Sequence, residues 1–279
     1  MKTSNKLIVA LVLTLLIIPL GVIAYIVKTK YVPASEYSYL NRQDGSSEPL
    51  NAKTPGRFAI PISQKFNKVS ILNGKQISIS LHLTNSETAG IKIPNYAKES
   101  ITYKVENGVL NIILKDDFNA TRFVDIVVYA PIFKSINLNE VRLLELTAKS
   151  DSLQVNLNKT ESFSFGGMIT TRNNKGEITK VINQSDIKNL VINLNDSKFS
   201  SFSNSYQNIE INTKGKSEIE LNSGEDNNEV YTIKNLKINT LDSAKIDIKN
   251  INIDKFSGKI SDNTIIQMPA ANLKQFFKN

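Results

Sequence analysis

"LVINLND", residues 190–196, has counterparts elsewhere in the chain: "SINLNE" (135–140), "LQVNLNK" (153–159), "IEINT" (209–213) and "IELNS" (219–223). Each writes an aliphatic, a polar residue, an aliphatic and then an asparagine. On a strand, successive side chains point to opposite faces, so Ile192 and Leu194 lie on one side and Asn193 and Asn195 on the other. The second aliphatics (Leu138, Leu157, Leu194, Ile211, Ile238, Ile253) are spaced about 19, 37, 17, 27 and 15 residues apart, an imperfect unit of roughly 15 to 20. The two long gaps hold extra strand-like pieces, "ITKVI" (178–182) and "IELNS". Such a unit cannot bury a face alone, so units must stack. Equivalent aliphatics from successive windings would form an internal column, and their polar partners an outer wall. Asparagine suits the wall and its corners, because it tolerates left-handed backbone and stacked amides bond winding to winding.

The fold class expected is therefore all-β: an N-terminal transmembrane helix, short antiparallel strands, and then a parallel β-solenoid. A β-sandwich is the alternative, since short strands with frequent turns read similarly. The return of Asn in the same place favours the solenoid. Upstream, alternation marks "KVSIL" (68–72), "QISISLHL" (76–83) and "FVDIVVYA" (123–130). In "SITYKVENGVLNIIL" (100–114), Asn107-Gly108 predicts a hairpin with a primed turn. No segment after residue 30 sustains a 3.6-residue period, so little helix is expected there.

Residues 7–27, LIVALVLTLLIIPLGVIAYIV, carry no charge and match the roughly 20 residues that a helix needs to cross a bilayer. Lys2 and Lys6 precede the run, and Lys28 and Lys30 follow it. A short basic tail before the first apolar run resembles an export signal, with the rest sent outside. The run outlasts a usual signal core, which favours an uncleaved anchor over secretion after cleavage near Val22 and Ala24. Residues 31–56, with three Pro and several Ser, read as a flexible linker. The division expected is 1–30 anchor with a short cytoplasmic tail, 31–56 linker, 57–130 antiparallel lead-in, 131–269 solenoid and 270–279 tail.

The absence of Cys excludes disulfides, thiolate metal sites and cysteine nucleophiles. The formal net charge of +8 comes from lysines scattered among Asn and Ser, not from a block, and Arg platforms are scarce, so no nucleic-acid partner is expected.

The order of parts is also familiar. "FNKVSILNGKQISISLHL", a hairpin closing in "VENGVLNIILKD", and then "VDIVVYAPIFKSINLNEV" resemble the bacterial auto-transporter adhesin head family, the GIN-type head domain. Val127, Pro131, Ile132, Ile136 and Leu138 stand where that family leads a strand into its repetitive all-β body. The likeness spans roughly residues 58 to 260. It departs at Asn139-Glu140, where relatives often carry a small Gly-rich turn. The resemblance implies surface attachment and provides no catalytic residues.

Candidate chemistry is sparse. His82, the single histidine, falls on the polar face of a strand without an evident Asp, Ser or metal partner. Glu218 and Glu220 share an outward face about 7 Å apart, a separation a glycosidase could use, but Lys214 and Lys216 precede them and suggest a solvated face. Asp116-Asp117 fits a turn. Gly166-Gly167 lacks the Asp of a calcium-binding roll. The Asn-x-Ser/Thr triplets at Asn119, Asn158, Asn183 and Asn195 matter only in a glycosylating pathway. Phe163, Phe165 and Phe202 are expected to stack inside, while Tyr206 is the more exposed contact.

No catalytic, cofactor or metal residue is therefore assigned, and the binding residues are left unknown. The partners expected are the lipid bilayer through residues 7–27 and an envelope protein or polysaccharide through the solenoid surface. The protein read this way is a single-pass, adhesin-like or scaffold module with its C-terminal domain periplasmic or extracellular. The competing class is a polysaccharide-active β-helix enzyme of the envelope.

Overall fold

The computed structural model describes residues 3–30, 48–118, 120, 123–166, 168–172, 178–183, 185–223 and 231–276. It divides into two units, 1–41 and 42–279. The first contains helix α1 (Thr3–Lys30), with Pro19 inside it. Side chains are described continuously over 11–25, about 22 Å of helix, and among the described residues no helix is long and apolar enough to cross a membrane.

The second unit is mostly β. Its first strands are β1 (Arg57–Pro61), β2 (Lys68–Ile71), β3 (Ile79–Asn85), β4 (Gly90–Pro94), β5 (Ile101–Glu106), β6 (Val109–Leu114) and β7 (Val124–Ala130). β5 and β6 form the expected hairpin, with Glu106 opposite Val109 and positive φ at Asn107 and Gly108. The antiparallel pairs are β1 with β4, β4 with β7, and β5 with β6. β2 and β3 instead pair parallel, with β6 and β7 respectively. An all-antiparallel lead-in is thus corrected: β2 and β3 feed different sheets, so no tight turn ties them together.

The later strands are β8 (Ser135–Asn139), β9 (Leu143–Asn158), β10 (Ser162–Phe165), β11 (Met168–Arg172), β12 (Ile178–Asn183), β13 (Asp186–Asn195), β14 (Lys198–Phe202), β15 (Tyr206–Lys214), β16 (Ser217–Asn222), β17 (Thr232–Thr240), β18 (Ala244–Lys249), β19 (Asn252–Lys259) and β20 (Ile265–Gln267). From β13 onward each strand pairs parallel with the strand after next. β9, β13, β15, β17 and β19 make a front wall, to which β8 adds through the second half of β9. β9, β10, β14, β16, β18 and β20 make a back wall through the first half of β9. β11 and β12 stand apart as a hairpin. Helix α2 (Ala270–Phe276) packs at the β19 end, where Gln275 Nε2 donates to the Ile253 carbonyl at 3.0 Å.

The alternating aliphatics point inward. Ile136, Val155, Ile192, Ile211 and Ile238 stack in register and are fully buried. The back wall adds Leu144, Phe163, Phe199, Ile219 and Ile246. Leu194 lies opposite Thr213, not Ile211, and Ile253 opposite Ile233, not Ile238. The alternation alone thus places the phrase at 209–213 two residues out of register, a slip that a period-2 pattern permits because it keeps every side chain on its face. Stacked asparagines then recur at 19, 37, 19 and 27 residues, and other parallel pairs are offset by 20, such as Lys198 with Glu218 and Asn235 with Lys255, so the basic repeat is 19 to 20 residues. The excess of 18 and 8 leaves the chain between β10 and β13 and between β16 and β17. "ITKVI" is β12 of the outlying hairpin, whereas "IELNS" belongs to β16, an ordinary back-wall strand.

Asparagine takes few of the corners: Asn250, between β18 and β19, is left-handed. Where the chain leaves a front-wall strand, the left-handed positions are Glu140, Lys159, Asp196 and Gly215, each one residue after the strand's last residue. A Cβ on Gly215 would lie 2.2 Å from Asp196 Oδ1, which accepts from the Lys216 N–H at 2.9 Å. Gly215→Ala is therefore expected to cost about 1–2 kcal/mol from the left-handed backbone alone, with the disturbed carboxylate adding to it. A denaturant midpoint unchanged from wild type would contradict this.

Candidate functional site: an amide-paved outer wall

The front wall's outward residues include three asparagine columns. In the first, Asn156 Nδ2 donates to Asn137 Oδ1 (2.6 Å), Asn193 to Asn156 (2.6 Å), Asn212 to Asn193 (2.9 Å) and Asn239 to Asn212 (2.8 Å). The second runs from Asn195 to Asn158 to Asn139, and Asn139 donates to the Leu72 carbonyl at 2.8 Å. In the third, Asn235 donates to Asn208 (2.8 Å) and Asn208 to Asn189 (2.5 Å). Each column exists because equivalent positions on successive strands lie about 4.8 Å apart, within reach of one amide-to-amide bond.

Over the first two columns lies a groove of about 580 Å³. Leu72 closes one end and Leu241 the other, 68% and 74% exposed. Leu72 follows β2 beside Asn139, and Leu241 follows β17 beside Lys214. The two leucines thus cap the second column from either end.

On the back wall Glu218 and Glu220 share an outward face, as their spacing predicts. Lys198 lies between them, 3.8 and 3.5 Å away, so the pair is a solvated charge cluster. Asp116 sits in the turn after β6, where a hydrogen bond and the charge of Lys75 hold its carboxyl below the usual range. Asp117 occupies the same turn. Glu145 fills the space beside Gly166, while Gly167 and Asn119 lie outside the described residues. Asn183 ends β12, and Asn158 and Asn195 are hydrogen-bonded to each other in the second column. Among the described residues no group of three metal-ligating side chains occurs.

The aromatics depart from expectation in two places. Phe163 is buried and stacks on Phe199 at 5.3 Å, and Phe165 meets both rings edge-on. Phe202, however, is 41% exposed, and Tyr206 is buried with its hydroxyl 2.8 Å from Ser201 Oγ. Burial pushes the Tyr206 phenol up, with the Ser201 bond opposing. The register decides this reversal: Ser201 pairs with inward Leu221, which sends Phe202 out.

His82 also differs. It is buried, with Nε2 3.2 Å from Ser80 Oγ and 3.3 Å from Asp125 Oδ1. Ser, His and Asp therefore do meet, but both partners address the same ring nitrogen. Nδ1 is buried without a hydrogen-bond partner, so no proton relay from serine through imidazole to carboxylate is formed. Asp125 is held instead by Arg57, whose two terminal nitrogens donate at 3.2 and 2.8 Å. Beside them Lys92 is buried and donates to the Pro49 carbonyl (2.7 Å) and Thr54 Oγ1 (2.9 Å). Burial lowers its pKa, Glu48 opposing and Arg57 adding. The Tyr129 hydroxyl donates to the Glu48 carbonyl at 2.9 Å, and burial pushes its pKa up to about 12. Leu50 packs on Val127 and Tyr129, so chain from Glu48 onward, within the stretch read as linker, is part of the folded unit.

No curated protein matches the chain. Solved structures similar to it include a putative adhesin from Bacteroides fragilis NCTC 9343, 13% identical, covering 75% of this chain and 94% of that one with a TM-score of 0.40. A putative lipid binding protein from Parabacteroides distasonis ATCC 8503 is 13% identical, covering 76% and 94%, with a TM-score of 0.38. A putative adhesin from Parabacteroides merdae ATCC 43184 is 12% identical, covering 76% and 91%, with a TM-score of 0.36. The family model described as "Putative auto-transporter adhesin, head GIN domain" matches residues 65–226, more than half of the chain, and the protein belongs to that family.

Proposed function

We propose that the protein is an adhesin-like, non-catalytic binding module of the bacterial envelope, a β-solenoid attached to the lipid through residues 7–27, with its C-terminal domain periplasmic or extracellular. The observation that carries this reading is the front wall itself. Asn156, Asn193, Asn212 and Asn239 are locked into a continuous polar surface, and the family supports a surface role. The parallel pairing of every second strand supports the solenoid. The uncharged run of residues 7–27 supports the attachment.

Binding on such a wall is distributed, so substitutions such as Asn208→Ala, Glu210→Ala and Lys237→Ala should each cost less than about 1 kcal/mol of affinity. Co-sedimentation of the purified full chain with bacterial envelope fractions measures it, and protease accessibility on spheroplasts reports its side of the membrane. A single wall substitution that abolishes sedimentation, or a C-terminal domain shielded in spheroplasts, would overturn the reading.

A further inference from the structure

The front-wall groove is more specific than a general sticky surface. Its floor is a lattice of fixed amides among aliphatic residues, and most of the surface it shows is apolar. A carboxamide has two N–H groups and two oxygen lone pairs. Asn193 donates to Asn156 and accepts from Asn212, Asn212 donates to Asn193 and accepts from Asn239, and Asn158 donates to Asn139 and accepts from Asn195. Each therefore has one N–H and one lone pair left for a guest. These paired valences repeat once per winding, about every 4.8 Å.

The groove's charge and length narrow the guest further. Its lining contains no acid and one cation, Lys214, so a polyanion gains little and a polycation nothing. Five strand spacings separate Leu72 from Leu241, about 24 Å. The volume of about 580 Å³ is that of a ligand site. An extended peptide fits poorly, because its residues advance roughly 3.3 Å against the 4.8 Å lattice. The wall's main-chain groups are also engaged within the sheet, so a peptide cannot join as a strand here. A sugar hydroxyl, by contrast, both donates and accepts, as each amide's spare pair requires. A pyranose ring spans close to one winding, and its C–H face can rest on an exposed leucine.

We propose that this groove binds one strand of neutral, linear pyranose glycan, laid along the stacking direction between Leu72 and Leu241 with one ring per winding. The inference rests on the surface-binding reading above and gives that surface its ligand class. Calorimetric titration of the full chain in detergent micelles with N-acetylglucosamine oligomers and with cello-oligosaccharides, from one to six units, tests it. Affinity should rise with length in at least one series and level off near five units. Leu72→Glu with Leu241→Glu, both on exposed positions, should weaken it at least tenfold, while Phe202→Ser on the back wall should leave it unchanged. No heat from either series at millimolar sugar, or an affinity indifferent to length or to the leucine changes, overturns the proposal. If the chain still sediments with envelope fractions in that case, the surface-binding reading survives and only the glycan is lost.

Discussion

Asp125→Asn is expected to destabilise the folded unit by about 3–5 kcal/mol, the range for removing one partner of a buried ion pair. Asp125 and Arg57 are 3% and 6% exposed at the side chain. With Asn in place, the guanidinium keeps its burial and loses its counter-charge, and His82 loses its carboxylate neighbour. The urea midpoint should fall accordingly. Replacing both partners by apolar residues, Arg57→Met with Asp125→Leu, should recover most of the loss; a double variant as unstable as the single would show that the pair is not the cause.

The same carboxylate sets an acid dependence. Burial alone would push the Asp125 pKa up, but the hydrogen bond and charge of His82, then the charge and hydrogen bond of Arg57, outweigh it and hold the group below its usual value. The folded pKa is therefore lower than the unfolded value of about 3.9. Its stabilisation is complete above that value and disappears as the pH falls through the folded pKa. Wild type should lose stability across this acid window, and Asp125→Asn should lose markedly less.

Phe199→Ala should cost about 3–5 kcal/mol. Phe199 is fully buried, stacks on Phe163 and faces Ile219 of the next strand. Its removal opens a cavity in the middle of the column, where neighbours above and below are pinned by strand pairing and cannot collapse inward. Thermal melting of the variant against wild type measures the loss, and a shift below about 1 kcal/mol would mean that the back wall adjusts far more freely than this pairing implies.

Much of this architecture was legible because period 2 is a strong signal where one face is dry. Ile192, Leu194 and Ile211 are buried as their alternation requires. The hairpin at Asn107-Gly108 follows from two residues that accept positive φ. What the pattern could not carry was register: the slip at 209–213 preserves every inward and outward assignment. Phe202 and Tyr206 depart from the alternation for a related reason, since Ser201 holds an inward place where an aliphatic is expected.

The charged cluster among the first strands leaves only a faint mark in the sequence. Asp125 is the lone charge in "VDIVVYA" and Lys92 the lone charge in "GIKIP", two strands otherwise apolar. A charge in such a strand demands a partner. The partners, Arg57 for Asp125 and the Pro49 carbonyl and Thr54 for Lys92, lie 68, 43 and 38 positions away; Pro49 and Thr54 belong to the segment that reads as tether, and Arg57 directly follows it. The groove was partly visible: its asparagines were the opening clue, but Leu72 and Leu241 look like ordinary turn residues until the pairing puts them in one column.

The two long departures from the repeat of 19 to 20 residues occur at the same kind of junction, where the back wall hands the chain to the front. Between them, at Ser203 to Ser205, the same junction is made with no surplus. Lengthening there leaves the amide columns and the buried column in register, and loop-closure entropy grows only by about 0.6 kcal/mol for each doubling. This edge of the molecule is thus where length can be added cheaply, while the opposite edge, turned at Glu140, Lys159, Asp196 and Gly215, changes by single residues, as where Asn195 faces Lys214 but Lys198 faces Glu218.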